Sequence, residues 1–436
     1  MSLRFGVWLL SIMNILIANN RYFISGGPER YLFGIKERLE KCGHRVIVFS
    51  NRYAQNCPSP YQDYFMPSPV QENAVYFREF RLTPWKSLEL LGRASYSFEA
   101  KRRVERLIQV EKPDIAYLLA IANYISPSVI DVFRKYQIPV VMRLSDYNLV
   151  CPAYNLFRDG QVCQECLTVG LWRAIQHRCL QGSRLVSLAR VVSMSLHRIV
   201  RLYDKVDLYI APSKHLLKVM QQAGIPSHKL VHLPSFVEIP ENTLDTRSEN
   251  MILYVGRLSP GKGVEILIRA FGKLKHSYPH ARLVIAGEIT PEGERLQALV
   301  NQYQIEGINF VGYASKEMLA QLYQAASFSV VPSLWFDNTP MSVYESQSYA
   351  RAVIASRIGS LPEQVIDGVN GLLFDPGDPE DLKEKMAILL DDPLKSQAMG
   401  QYARERLAAE LSPERHLEQL TSLFQTLVNG SPARYR

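Results

Sequence analysis

MILYVGRLSPGKGVEILIRAFGKL, residues 251–274, contains a strand, a turn and a helix in immediate succession. Five apolar residues read as a buried strand, a glycine-rich loop follows, and a helical pattern begins at once. Parallel sheets covered by helices are assembled from such units. The loop carries Arg257 and Lys262 among Gly256, Gly261 and Gly263, which let backbone come close to a ligand. Backbone N–H groups, a positive helix end and two cations suit phosphate. The spacing GxxxxGK[ST] is absent, so this is not a P-loop, and a plain strand-helix turn remains the competing reading.

The same alternation runs along the whole chain. Beyond MILYVG (251–256) it continues as ARLVIAG (281–287), INFVG (308–312), FSVVPS (328–333), AVIAS (352–356) and GLLF (371–374). Before it stand MNILIA (13–18), HRVIVFS (44–50), DIAYLLA (114–120), IPVVMRL (138–144), VDLYIAPS (206–213) and KLVHLP (229–234). PENTLDTRSEN, residues 240–250, is polar, begins at a proline and reads as the linker. At 436 residues, 47% hydrophobic and 21% charged, the chain has globular composition and is too long for one core. The expectation is an α/β protein of two facing, doubly wound parallel-sheet, Rossmann-like domains, 1–240 and 241–410, with an interdomain cleft. Such sheets bind ligands at the carboxyl ends of their strands. Residues 413–428 form an amphipathic helix with Ser412 as N-cap and Leu417, Leu420, Leu423, Phe424 and Leu427 as its stripe. This tail, 411–436, is expected to pack back on the N-terminal domain.

The net charge of +8 is unevenly shared. Lys and Arg outnumber Asp and Glu by 31 to 18 over residues 1–240, whereas the remainder has 19 against 24. A cationic N-terminal half suits an anionic membrane surface or a lipid phosphate as well as a plainly solvated face. No motif that reads RNA or DNA accompanies it, so no nucleic-acid partner is expected. The longest apolar run, 5–18, is interrupted by Ser11 and Asn14 and has no small-residue cleavage site behind it. Residues 1–12 read as an appendage or a start placed too early, with an uncleaved membrane anchor as the rival. Six cysteines without a secretory signal argue for a reducing compartment. Four of them, Cys151, Cys163, Cys166 and Cys179, fall in an insert at 146–180 with the spacing C-x11-C-x2-C-x12-C, which suits a structural zinc site or free thiols.

A second loop, WFDNTPMSVYE (335–345), places Asp337 and Glu345 at its two ends. Thr339 suits an N-cap and Pro340 the first helical position, so a helix is expected from 340 with its N–H groups turned to the cleft. Glu345 then sits roughly 7–8 Å up the helix, too far from Asp337 to share a proton, and both carboxylates suit sugar hydroxyls. A third loop, ASRIGSLPE (355–363), adds Gly359, Ser360 and Glu363 at another helix start. A diphosphate flanked by polyhydroxyl groups, as in a nucleotide sugar, fits the three loops together.

In sequence GRLSPGKG, IAGE, INFVGY, PSLWFDNTPMSVYESQSYARAVIASRIGSLPEQV and DGVNGLLFDPGDPEDL resemble the donor domain of the family-four retaining glycosyltransferases, which have the GT-B fold. ISGGPERYLFGIKERLEKCGHRVIVFS (24–50) and DYNLVCP (146–152) resemble members that elongate bacterial surface polysaccharides. The resemblance implies that Arg257 and Lys262 bind the donor diphosphate and that Glu345 bonds the ribose. Asp337, where the family usually has Glu, reaches the transferred sugar. Asn338, Thr339, Pro340 and Met341 contact sugar and distal phosphate through their backbone. Gly312 and Tyr313 lie by the base, and Gly26 and Gly27 let the opposite loop approach the phosphates.

RLSDYN places Ser145 where many relatives have His, and Asp146 is left to orient an acceptor or to cap a strand end. The resemblance implies a retaining transfer in which a donor phosphate oxygen takes the acceptor's proton, so the protein chiefly stabilises charge. No Asp-x-Asp cation clamp occurs, so no metal is expected in catalysis. The expected partners are a nucleotide diphosphate sugar, a lipid-linked or growing glycan acceptor and an anionic membrane surface. A cytoplasmic location, peripheral on the inner leaflet, follows from these. A non-catalytic nucleotide-sugar scaffold, and an epimerase or hydrolase on the same fold, are the alternatives.

Overall fold

A computed structural model describes residues 12–68, 92–122, 125–241 and 250–430. All twelve apolar runs form strands. In the N-terminal domain these are β1 (Asn14–Asn19), β2 (Arg45–Phe49), β3 (Ile115–Ala120) and β4 (Val140–Arg143). A small hairpin follows, β5 (Phe157–Arg158) and β6 (Gln161–Val162), and then β7 (Leu208–Ala211) and β8 (Leu230–His232). The six long strands pair in parallel in the order β2-β1-β3-β4-β7-β8. Ile15, Leu16, Ile17 and Ala18 of β1 are all fully buried, because helices cover both faces of a parallel sheet. That is why these strands read as unbroken apolar runs instead of alternating ones.

The C-terminal domain repeats the plan with β9 (Met251–Val255), β10 (Arg282–Ala286), β11 (Ile308–Gly312), β12 (Phe328–Val331), β13 (Ala352–Ser356) and β14 (Gly371–Phe374). Its order is β11-β10-β9-β12-β13-β14, again parallel. The order reverses at β9, so the loops after β9 and β12 flank the switch point where open α/β sheets bind ligands.

The carboxyl edges of the two sheets face each other across a seam. The Asn338 amide donates to the Leu144 carbonyl at 3.3 Å and accepts from the Ser213 hydroxyl at 3.1 Å. Glu363 accepts from the backbone N–H groups of Lys214 and His215 at 2.7 and 2.6 Å, setting a carboxylate on the N-terminus of helix Lys214–Gln222.

The tail helix, Pro413–Asn429, is capped as expected: the Ser412 hydroxyl accepts from the Arg415 N–H at 3.3 Å. It lies on the N-terminal domain, where Leu420 and Phe424 are fully buried in that domain's core. His416 Nδ1–H donates to the Pro234 carbonyl at 2.8 Å, so its Nε2 accepts from the Tyr31 hydroxyl at 2.9 Å. At the seam the Val237 N–H reaches the Leu411 carbonyl at 3.3 Å, where the chain's outward and return crossings run side by side. The expected linker falls largely outside the described residues, as do residues 1–11.

Between β4 and β7 the chain builds a subdomain from the β5–β6 hairpin, short helices Glu165–Thr168 and Arg173–Gln176, and the longer helix Arg184–Ile199.

Candidate active site

The loop after β9 turns through a 3₁₀ turn, Pro260–Lys262, into helix Val264–Leu274. Gly263 makes the turn possible: its φ is +67°, and a Cβ there would stand 1.8 Å from the Pro332 carbonyl oxygen. The loops after β9 and β12 therefore touch. Trp335, from the second, lies under both cations of the first, with Arg257 5.9 Å and Lys262 5.6 Å from its ring centroid. Sequence reasoning passed over Trp335; only its place beside Asp337 hinted at it.

Lys262 Nζ bonds both carboxylate oxygens of Asp337, at 2.7 and 2.9 Å. The Ser333 hydroxyl donates to Asp337 Oδ2 as well. Both side chains of the ion pair are largely buried, 14% and 10% exposed. The Arg257 guanidinium, in contrast, has no hydrogen-bond partner among the described residues. Asp337 is held from behind by Ser360, whose hydroxyl donates to the Asp337 carbonyl at 2.8 Å. Gly359, with φ +59°, permits that approach, since a Cβ would stand 3.0 Å from Phe336 Cα.

Glu345 occupies helix Met341–Ser348. Its Oε2 accepts from the buried Tyr323 hydroxyl at 3.0 Å and its Oε1 pairs with Arg30 of the opposite domain at 3.3 Å. Asp337 and Glu345 thus have separate cationic partners, as their expected separation requires. Arg30 stands in the first turn of helix Gly27–Lys41, which places Gly26 and Gly27 across the cleft from the Glu345 helix. A Cβ on Gly27 would meet nothing within 4 Å, so its surroundings are open. Gly312 closes β11 with φ +69°, and Tyr313 beyond it is 76% exposed at the rim.

One local expectation is corrected. The helix begins at Met341, with Pro340 at its cap position and no side-chain cap. The Thr339 hydroxyl faces the Pro212 carbonyl at 3.3 Å and the Asn338 carbonyl instead. Residues 338 and 339 serve the seam, and the interdomain contact outcompetes the local cap.

Asp146 is solvent-accessible yet recessed among protein atoms. That crowding disfavours its charge and pushes its pKa up to about 6, against the Asn148 N–H, which it accepts at 2.9 Å, and the nearby Arg190 guanidinium. The Asn148 contact is the cap geometry that a structural acid would also show. Arg190 bonds the Asn148 side chain from helix Arg184–Ile199. The hairpin reaches the site too: Phe157 meets Trp335 edge-on, with centroids 6.2 Å apart.

Cys151, Cys163, Cys166 and Cys179 are all free thiols within electrostatic reach of one another. Burial, then the neighbouring sulfurs, pushes Cys166 up to about 12, so its thiol is neutral. No three His, Cys, Asp or Glu side chains among the described residues are set to hold a metal ion. For the zinc expectation, Cys166 and Cys179 lie in an apolar cluster with Leu171, Ala174 and Val191, whereas Cys151 belongs to the core of the N-terminal domain.

A cavity of about 460 Å³ lies along the seam, walled by Ser213, Lys214, His232, Thr339, Glu363 and Arg406. Neither Arg257 nor Lys262 lines it, so it belongs to the domain contact and not to the loop after β9.

Two family profiles divide the chain between them: "Glycosyl transferase 4-like domain" matches residues 26–235 and "Glycosyl transferases group 1" matches residues 237–406. D-inositol 3-phosphate glycosyltransferase of Corynebacterium jeikeium is 35% identical over 194 residues, 43% of this chain and 45% of that protein. Glycogen synthase of Mycobacterium tuberculosis is 31% identical over 159 residues, 36% and 38% of the two chains. These curated relatives are matched over less than half of their length. Among solved structures, sucrose-phosphate synthase of Thermosynechococcus elongatus superposes with a TM-score of 0.69 at 19% identity, over 96% of this chain and all of that one. Anabaena HepE in complex with UDP-glucose gives 0.64 at 17%, over 95% and 100%. At such identities the likeness is one of fold, and with both domains matched in order, the chain belongs to the type-4-like, group 1 glycosyltransferases of GT-B fold.

Proposed function

We propose that the protein moves a hexosyl group from a nucleotide diphosphate sugar to a lipid-linked or growing glycan acceptor, retaining anomeric configuration and using no metal. The observation that carries the reading is the pair Arg257 and Lys262, set on one indole ring at the switch point of the sheet. Two cations there neutralise a departing diphosphate, the role a metal plays elsewhere. HepE, solved with UDP-glucose, supports a nucleotide-sugar donor.

In this reading the acceptor oxygen attacks C1 from the face that the phosphate leaves. The C1–O bond to acceptor forms as the C1–O bond to phosphate breaks, and a phosphate oxygen takes the acceptor's proton. Lys262, pre-oriented by Asp337, and the unpaired Arg257 stabilise the charge that develops on the leaving group. Asp337 and Glu345 bond sugar and ribose hydroxyls, and Tyr323 holds Glu345 in place. Asn338 to Met341, Gly26, Gly27, Gly312 and Tyr313 line the donor, and Asp146 faces the acceptor.

Nucleotide release from UDP-glucose, with glycan and lipid acceptor extracts and excess chelator, tests the proposal. Turnover in chelator is expected, with Lys262→Ala lowering it by roughly 10²–10³-fold and NMR of the product showing the donor's anomeric configuration. Inversion at C1 overturns the retaining step, and strict need for a divalent ion overturns the charge assignment. Tight UDP binding with no turnover across the donor and acceptor panel makes the protein a binder and not an enzyme.

A further inference from the structure

From Cys166 to Tyr203 the chain has no acidic residue, but it has Arg173, Arg178, Arg184, Arg190, Arg198 and Arg201. This stretch forms the outer part of the subdomain between β4 and β7. Its long helix, Arg184–Ile199, packs inward through Ser187, Val191, Met194 and His197, all buried. Its outer face is apolar as well: Leu185 is 78% exposed, Leu188 44%, Val192 52% and Ile199 78%. At 100° per residue these four fall within an arc of about 60°, and Ala189 and Leu196 extend it. No polar residue falls on that arc, and the half-buried Ser195 lies about 20° beyond its edge. The short helix Arg173–Gln176 packs on the same long helix and begins at an exposed Trp172, with the Arg173 guanidinium over its ring. Arg178, Arg184 and Arg198 are exposed and have no ion-pair partner among the described residues.

We propose that this face docks on an anionic lipid bilayer, with the aliphatic stripe and Trp172 in the interface and the arginines against lipid phosphates. Amphipathic helices that lie in a membrane plane combine these two features. The charge argues against a second copy as occupant: Arg173 and Arg201 pair with Glu165 and Asp204, but self-association would bring together two sets of Arg178, Arg184 and Arg198, which have no ion-pair partner among the described residues. The side chains argue against a protein partner: the stripe is aliphatic and offers almost no hydrogen-bonding group, whereas protein interfaces concentrate Tyr, Trp and Arg at their centres. No described helix is long and apolar enough to cross a membrane, so attachment here lies in the interface plane. The proposal stands apart from the transfer reaction and survives if no glycosyl transfer is found. It also gives the subdomain a logic. Arg190, on the inner side of the same helix, bonds Asn148 beside Asp146, so a lipid-borne group would lie about one helix diameter, roughly 10 Å, from the cleft.

The experiment is co-sedimentation of the full chain with phosphatidylcholine vesicles, with and without phosphatidylglycerol, at low and high salt. Tryptophan fluorescence is read in parallel. Binding to the anionic vesicles alone, fading with salt and carrying a blue shift that Trp172→Phe reduces, is expected. A variant with Leu185→Ser, Leu188→Ser, Val192→Ser and Ile199→Ser should bind at least about tenfold more weakly at low salt and melt as the parent does. A variant with Arg178→Gln, Arg184→Gln and Arg198→Gln should also weaken by at least about tenfold. The proposal is overturned if the parent does not bind anionic vesicles, or if the serine variant binds as the parent does, since net charge would then explain binding. It is equally overturned if the serine variant melts well below the parent or splits a parent dimer, because the face would then be covered by the chain itself or by a second copy.

Discussion

Replacing Asp337 with asparagine tests how the glycine-rich loop after β9 is held. The variant keeps the shape but removes the charge that Lys262 Nζ meets at 2.7 and 2.9 Å. Breaking a fully buried ion pair costs about 3–5 kcal/mol, because the remaining charge is left unpaired. Here the side chains are 14% and 10% exposed, water reaches the orphaned ammonium, and the amide oxygen still accepts one bond. About 2–3 kcal/mol is the corresponding loss, which for a domain of this size lowers Tm by roughly 5–10 °C. The same change removes an anion from beside the incoming diphosphate and frees Lys262 for it, so UDP should bind roughly tenfold tighter, about 1.4 kcal/mol. Scanning fluorimetry with and without UDP, plus titration calorimetry, reads both effects. Adding Lys262→Met to Asp337→Asn should recover most of the lost stability, which separates charge from packing. A variant that melts within about 1 °C of the parent and binds UDP no more tightly would refute the reasoning.

Arg30→Ala frees Glu345 from a half-exposed pair, and calorimetry should show UDP binding about twofold tighter at nearly unchanged stability; weaker binding would make Arg30 a ligand. Burial pushes the His416 pKa down to about 3, against about 6.5 unfolded. The unfolded chain therefore takes up the proton first as pH falls, so the stability is intact above about pH 6.5 and is lost toward 3 at about 1.4 kcal/mol per unit. Urea titrations should show a smaller loss between pH 6.5 and 5 for His416→Gln. With the Asp146 pKa at about 6, kcat/KM should fall below that pH if its carboxylate orients the acceptor, and Asp146→Asn should abolish the limb while lowering the plateau. Gly263→Ala forces a Cβ 1.8 Å from the Pro332 carbonyl at φ +67° and should cost more than about 3 kcal/mol in melting experiments.

The strands were legible because burial on both faces leaves a continuous apolar run, a signal that needs no partner information. The turn after β9 was legible for a related reason: glycines between an apolar run and a helical pattern mark a strand-helix turn. What escaped depends on contacts distant in sequence. Thr339 has the composition of an N-cap, but the Pro212 carbonyl, from the other domain, claims its hydroxyl. Trp335 was passed over because its role arises only when the turn at Gly263 sets two cations on its face. The β5–β6 hairpin has two residues per strand, too few for any period to show. The four cysteines were noticed at once, but spacing alone does not say whether the sulfurs converge.

The chain crosses between the domains twice, and the two crossings are bonded together where Val237 meets Leu411. A single tether would let the lobes swivel freely about a point. Two tethers pinned side by side act like a door hung on a pair of pins, so the lobes must part mainly by rotation about the line through them. Each such swing would carry Glu345 away from Arg30, and Glu363 away from the Lys214 amide, as one coordinated stroke.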